Sequence, residues 1–290
     1  MVLAWTSYFI ISDILITMTG NSFISGFFVR LAVFIVFTGV MLLNGQIKQI
    51  IVANTTIFLK LLLVGFLGFL TNAFAFLGFQ YSSVEVGTIL LKTDILIANF
   101  ITIVFLKQAF TLQDFIFSII MLVGVYLVLD IRLSDLKFNY YDILFLLSAL
   151  AVTVNAFIIK SVQSKHKVNS NVISFYNNIV VMGCFLIMTF VTLGTRWFIS
   201  NDIDFSLFFT FALIGGIMQC GVYIFYYTNL RNLPVWIVNI TLLLIPVVTT
   251  IVGIVLFNKS ISLNIIIGMC IVLFGAVGLL LKQKNIYQKI

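Results

Sequence analysis

The sequence predicts an all-α polytopic membrane protein with ten transmembrane helices, arranged as two inverted five-helix repeats (5+5). Three observations lead there. The first is composition: of 290 residues, 62% are hydrophobic and 9% are charged, where a soluble domain has about 45–50% apolar and about 25% charged residues. A soluble globule built this way would lack the charge to cover its surface. That excludes a cytosolic enzyme, a nucleic-acid-binding domain and a disordered chain. The second is the length of the apolar stretches, which at about 20 residues per crossing fit the hydrocarbon core of a bilayer. The third is self-similarity: shifting the chain by 151 residues lays 65–129 on 216–280 without a gap.

The spans are expected near 1–18, 26–43, 60–79, 84–106, 112–129, 142–159, 171–193, 206–228, 235–257 and 262–281. The first begins at Met1 without flanking polar residues and carries Asp13, so it is either short or continues before this chain begins. Gly20-Asn21-Ser22 turns the chain into the second span, and Asn44-Gly45 ends that one. Gln80 to Ser83 separates the third span from the fourth. The polar stretch Asp130 to Tyr141 divides the first five spans from the last five, giving domains 1–135 and 136–290. In the second half the breaks fall at Lys165 to Asn171, Arg196 to Asp204, Asn232 to Pro234 and Asn258 to Ser260.

Lysine and arginine fix the orientation. With the N-terminus in the cytoplasm, the inner segments hold ten of the sixteen: Lys48, Lys60, Lys107, Lys160, Lys165, Lys167, Arg231, Lys282, Lys284 and Lys289. The outer segments hold four, Arg132, Lys137, Arg196 and Lys259. Both termini are therefore expected inside, which requires an even number of spans. The net charge of +7 reads as this loop bias and not as a nucleic-acid surface. Abundant Phe, Ile, Asn and Lys with two Pro suggests an AT-rich bacterial genome, and so the bacterial inner membrane.

In the 151-residue register Gly65 meets Gly216, Phe74 meets Phe225, Leu91 meets Leu242 and Gly124 meets Gly275. Each repeat has an odd number of helices, so the two insert with opposite orientation, as in many secondary transporters.

The second repeat runs Tyr226-Tyr227-Thr228-Asn229-Leu230, Leu233-Pro234-Val235, Leu244-Ile245-Pro246-Val247, then Ile267-Gly268 and Phe274-Gly275. This order resembles the EamA-type domain of the drug/metabolite transporter superfamily, and Trp5 and Arg30 match its first two helices. The resemblance covers nearly the whole chain. The sequence departs from the family where it lacks Gly-Glu after the fourth and ninth helices, with Leu106-Lys107-Gln108 and Asn258-Lys259 there instead. The fourth helix also has Lys92-Thr93-Asp94 near the place of the usual proline. The resemblance implies a carrier with alternating access. Helices one to four and six to nine would surround a central cavity between the repeats, and helices five and ten would pack outside it, often at a homodimer contact.

Charge within the spans is the informative chemistry, because each such residue costs about 2.5–3.5 kcal/mol on insertion scales. Arg30, Lys92, Asp94, Asp13 and Glu85 all belong to the first repeat. Asp94 lies about ten residues, about 15 Å, into the fourth span, too deep for so short a side chain to reach water. On a continuous helix it would sit about 200° from Lys92, so a partner on another helix is expected, with Arg30 the candidate. Glu85, Thr88, Lys92 and Asn99 form one stripe, and the repeat mates of the first three are Trp236, Asn239 and Leu243. Asn72 pairs with Tyr223 across the repeat, and Gln219 lies one turn from Tyr223.

Lys92, Asn72, Thr88, Gln219, Tyr223, Trp236 and Asn239 are thus the expected substrate contacts. Lys92 would draw an anionic group, and Asp94, Arg30, Glu85 and Asp13 would form a coupling or ion-pair set. The expected partners are a small-molecule substrate and the bilayer, with no cofactor or metal. Cys184, Cys220 and Cys270 all lie in apolar stretches, and His166 is the only histidine. A metal site and a Ser-His-Asp triad both lack parts. A transporter of a small organic metabolite, amino-acid-like, zwitterionic or anionic, is the leading function. A non-transporting membrane scaffold and a membrane-embedded transferase are the alternatives.

Overall fold

The computed structural model describes residues 1–52, 54–82, 84–104, 111–130, 139–193, 204–257 and 262–287. The turns holding Lys107 and Lys259, the segment of Arg132 and Lys137, and Arg196 with Asp202 lie outside them. The described residues form twelve α-helices and short 3-10 turns, with no strand among them. In chain order these are α1 (Val2–Thr19), α2 (Ser22–Leu43), α3 (Thr55–Tyr81), α4 (Val84–Leu91), α5 (Asp94–Val104) and α6 (Leu112–Val128). There follow α7 (Ile143–Lys165), α8 (Ser170–Leu193), α9 (Phe205–Asn232), α10 (Val235–Leu242), α11 (Leu244–Phe257) and α12 (Leu263–Tyr287).

Among the described residues, eight helical segments are long and apolar enough to cross a membrane, two of them composite: Val86–Val104 joins α4 to α5 and Val235–Val255 joins α10 to α11. Two shorter apolar helices, Leu112–Val128 and Leu263–Gly278, accompany them. Every expected span therefore has a helix. Large apolar side chains such as Ile35, Phe100, Val191 and Phe274 are exposed, as lipid-facing positions are in a bilayer protein.

The chain forms two compact units, and each draws on both halves of the sequence. The first comprises 3–72 and 154–232; the second comprises 73–153 and 233–290.

In the first unit, α2 packs on α8 and α9. Gly20 takes the left-handed conformation at φ 65 and closes α1, and Asn21 caps α2 by accepting from the Phe23 and Ile24 amides at 2.9 and 3.1 Å. Tyr8 and Leu15 of α1, Ile24 and Val29 of α2, and Phe208, Ala212 and Val222 of α9 make one core. α9 approaches α2 closely because Gly215 and Gly216 face Val29, Ala32 and Val33.

In the second unit, α6 lies along α12, and α5 packs on α10. Glycine sets the α6–α12 distance: a side chain at Gly268 would meet the Val128 nitrogen and the Gly124 carbonyl oxygen, and one at Gly124 would meet Val272. Small residues let helix backbones approach in this way where lipid supplies no hydrophobic drive.

The fourth and ninth spans differ from expectation: neither is a single helix. Leu243 interrupts the ninth between α10 and α11, where its amide bonds the Ile240 carbonyl three residues back at 2.9 Å. The cause lies in Pro246, which has no amide to give the Leu242 carbonyl. Lys92 and Thr93 interrupt the fourth, with Lys92 N bonding Ile89 O at 3.0 Å and Thr93 N bonding Leu90 O at 3.1 Å. No proline is present there. The Thr93 hydroxyl takes up the Leu90 carbonyl instead, at 2.7 Å, and Thr153 of α7 donates to the Asp94 carbonyl at 3.1 Å.

Candidate functional site

Two polar centres emerge, one in each unit. In the second unit the centre is the break between α4 and α5. Lys92 and Asp94 flank Thr93 there and act on each other's charge. The 200° separation assumed a continuous helix; the turn at Lys92–Thr93 removes that assumption and brings the two onto one local site. Asp94 starts α5, at the helix end whose dipole favours a negative charge. Its Oδ1 is buried without a hydrogen-bond partner among the described residues. On α10, Asn239 is 2% exposed and its Nδ2 is likewise buried without a partner. Trp236 beside it is buried, and Thr88 on α4 is half-buried. The polar stripe stops at the break, for Asn99 belongs to α5 and donates to Ser118 of α6 at 3.3 Å.

In the first unit the centre is Arg30 on α2, 5% exposed. Its Nη1 donates to the Tyr223 hydroxyl on α9, with the guanidinium carbon 5.6 Å from that ring's centre. Asn178 of α8 donates to the Arg30 carbonyl at 3.0 Å. Next to it, Asn177 donates to the Tyr227 hydroxyl, and Tyr227 stacks on Tyr223 with centroids 5.5 Å apart. Gln163 of α7 holds the Tyr227 carbonyl at 3.0 Å. Gln219 is 1% exposed, with its Oε1 unpartnered among the described residues. A guanidinium, two phenols and four amides thus meet on four helices, α2, α7, α8 and α9, with a third phenol, Tyr8 of α1, acting on the same charge.

The remaining expected residues lie as follows. Asn72 bonds back to the Gly68 carbonyl of its own helix at 2.7 Å. Asp13 is exposed on α1. Glu85 lies on α4, but its side chain is outside the described residues. Arg30 and Asp94 fall in different units, and the partner of Arg30 is Tyr223. Gln219 and Tyr223 share the first centre; Lys92, Asp94, Thr88, Trp236 and Asn239 belong to the second unit.

Sequence reasoning passed over Tyr8, Gln163, Asn177, Asn178 and Tyr227. Two adjacent amides in the middle of an apolar helix were the available signal, since a polar side chain at that depth needs a partner.

The EamA-like transporter family matches residues 1–130 and again 139–281. The chain belongs to the EamA-like transporter family. It is accordingly a multi-pass membrane protein of a transporter family, within the drug/metabolite transporter superfamily. A solved crystal structure is similar to this EamA-like chain with a TM-score of 0.77 at 13% identity, over 97% of this chain and 96% of the other. At that identity the likeness concerns the fold. No curated protein matches the chain.

Proposed function

We propose that this EamA-like protein is a secondary transporter that moves a small organic metabolite, amino-acid-like and zwitterionic or anionic, across the bacterial inner membrane by alternating access. The observation that carries the reading is the paired break. Lys92 and Leu243 are 151 residues apart, the interval of the sequence repeat. At each, the amide bonds a carbonyl three residues back, Ile89 and Ile240, themselves 151 apart. Interrupted helices expose carbonyls and amides within the membrane, and transporters place substrate and ion sites there. Lys92 and Asp94 stand at one break, and Asn239 lies one turn before the other.

Contacts within each unit support the 5+5 reading. Gly124 faces Val272 while Gly275 faces Met121; adding 151 to 124 and to 121 gives 275 and 272. In the first unit Gly65 faces Val180 and Gly216 faces Ala32, with α2 and α8 starting 148 residues apart at Ser22 and Ser170. Such reciprocal pairs are what a two-fold relation between repeats produces. The lysine distribution supports both termini lying in the cytoplasm. The outward faces of α6 and α12 serve as the homodimer contact, since their glycine faces are taken up against each other.

Counterflow in proteoliposomes against a metabolite panel, with and without a pH gradient, tests the function. Saturable, vectorial exchange of an amino acid or organic acid is expected. Absence of exchange across the panel, or turnover without movement, overturns it.

A further inference from the structure

We infer that Arg30, not Lys92, is the receptor for a carboxylate on the substrate, held through the guanidinium edge that includes Nε; this rests on the transport reading above.

The two buried cations stand in different electrostatic surroundings. Lys92 has a carboxylate, Asp94, two residues away whose charge acts on it. Among the described residues the Arg30 guanidinium has no carboxylate: the groups acting on its charge are the phenols of Tyr223, Tyr8 and Tyr227. Neutral hydroxyls offer dipoles but no opposite charge, and a buried cation is strongly disfavoured without one. Guanidinium keeps its proton, so it cannot escape by neutralising.

The geometry leaves room in bonding terms for a ligand. Nη1 donates to Tyr223, Tyr8 also hydrogen-bonds the guanidinium, and Nε is buried with no partner among the described residues. A carboxylate meets Arg best as a two-pronged acceptor. Gln219 Oε1 and Asn178 Oδ1 are also buried without partners among the described residues. Both are acceptors, suited to an ammonium or hydroxyl on the same ligand. The carboxylate and its donor-bearing neighbour together describe an α-amino or α-hydroxy acid. The surrounding frame is fixed from three sides: Asn178 holds the Arg30 backbone, and Asn177 and Gln163 hold Tyr227.

The test is thermal unfolding of the purified full chain in detergent, titrated with alanine, glutamate, lactate, succinate and inorganic phosphate, with choline and putrescine as cationic controls. At least one amino or hydroxy acid is expected to raise the unfolding midpoint saturably. Arg30→Gln should abolish that rise, and Arg30→Lys, which keeps the charge but loses the fork, should weaken binding about tenfold. A rise retained in Arg30→Gln, a rise with phosphate or the cations alone, or no rise at all overturns the inference. Should Arg30→Gln fail to fold, unchanged affinity in Arg30→Lys overturns it equally. Flux separates the two readings. Carboxylate binding lost in Arg30→Gln without any flux in the wild type sinks transport alone, while flux indifferent to Arg30→Gln sinks this inference alone.

Discussion

The α6–α12 contact makes a quantitative demand on Gly268. A Cβ there would lie 2.6 Å from the Val128 nitrogen, 2.7 Å from the Gly124 oxygen and 2.8 Å from Leu127 Cβ. Two of these are backbone atoms and cannot swing aside. Restoring an ordinary contact of 3.4 Å opens the helices by about 0.8 Å, and a gap of that size forfeits roughly a third of each pair's attraction. With on the order of 30 atom pairs at about 0.15 kcal/mol each, Gly268→Ala loses about 1.5 kcal/mol of packing, within the usual range for overfilled cores. The change also gains helix propensity, by up to about 1 kcal/mol, so the comparison needs a matched control. Gly39 is in α2 and a Cβ there meets nothing within 4 Å. Gly39→Ala takes the propensity gain alone. Reversible unfolding in mixed micelles, followed by tryptophan fluorescence, should place Gly268→Ala about 1.5 kcal/mol below Gly39→Ala, with Gly268→Val lower still. Equal midpoints for the two alanine variants would refute the close-contact argument.

Lys92→Ala should cut uptake in proteoliposomes at least about tenfold while leaving the amount of folded protein unchanged, because it removes the cation that acts on the Asp94 charge at the α4–α5 break; wild-type uptake would remove Lys92 from the path. Asp94→Asn should make flux indifferent to an imposed pH gradient, and a retained gradient response would exclude it as the coupling group. Asp142 accepts from the Ser82 hydroxyl and, at 2.7 Å, from the Asn139 amide, so Asp142→Ala should cost about 1–2 kcal/mol in the same unfolding assay. Cys270 is exposed on α12, so mild oxidation should yield a disulfide-linked dimer that Cys270→Ser lacks; a solely monomeric product would argue against the α6–α12 face as the dimer contact.

Much of the fold was legible in order along the chain. Gly20-Asn21-Ser22 announced the α1–α2 turn because only a left-handed residue followed by an accepting side chain closes one helix and caps the next. The ninth span's interruption was half visible in Pro246. The fourth span's was not: Lys92, Thr93 and Asp94 each fit inside a helix, and Thr93 breaks it only once its hydroxyl has taken a carbonyl. Contiguous halves at 135/136 and compact units that mix those halves answer different questions, one about the chain and one about contacts.

By itself the sequence determined that the chain must live in a bilayer, roughly where its spans begin and end, and which residues carry charge into them. Those follow from local energetics: apolar length, capping and the cost of a buried charge act on neighbours along the chain. Which group answers each buried charge was decided only by tertiary structure. Arg30 turned to Tyr223 and not to a carboxylate, because electrostatics and hydrogen bonding depend on separations of a few ångströms between helices about two hundred residues apart, and no periodicity in a sequence encodes which of those helices will be neighbours.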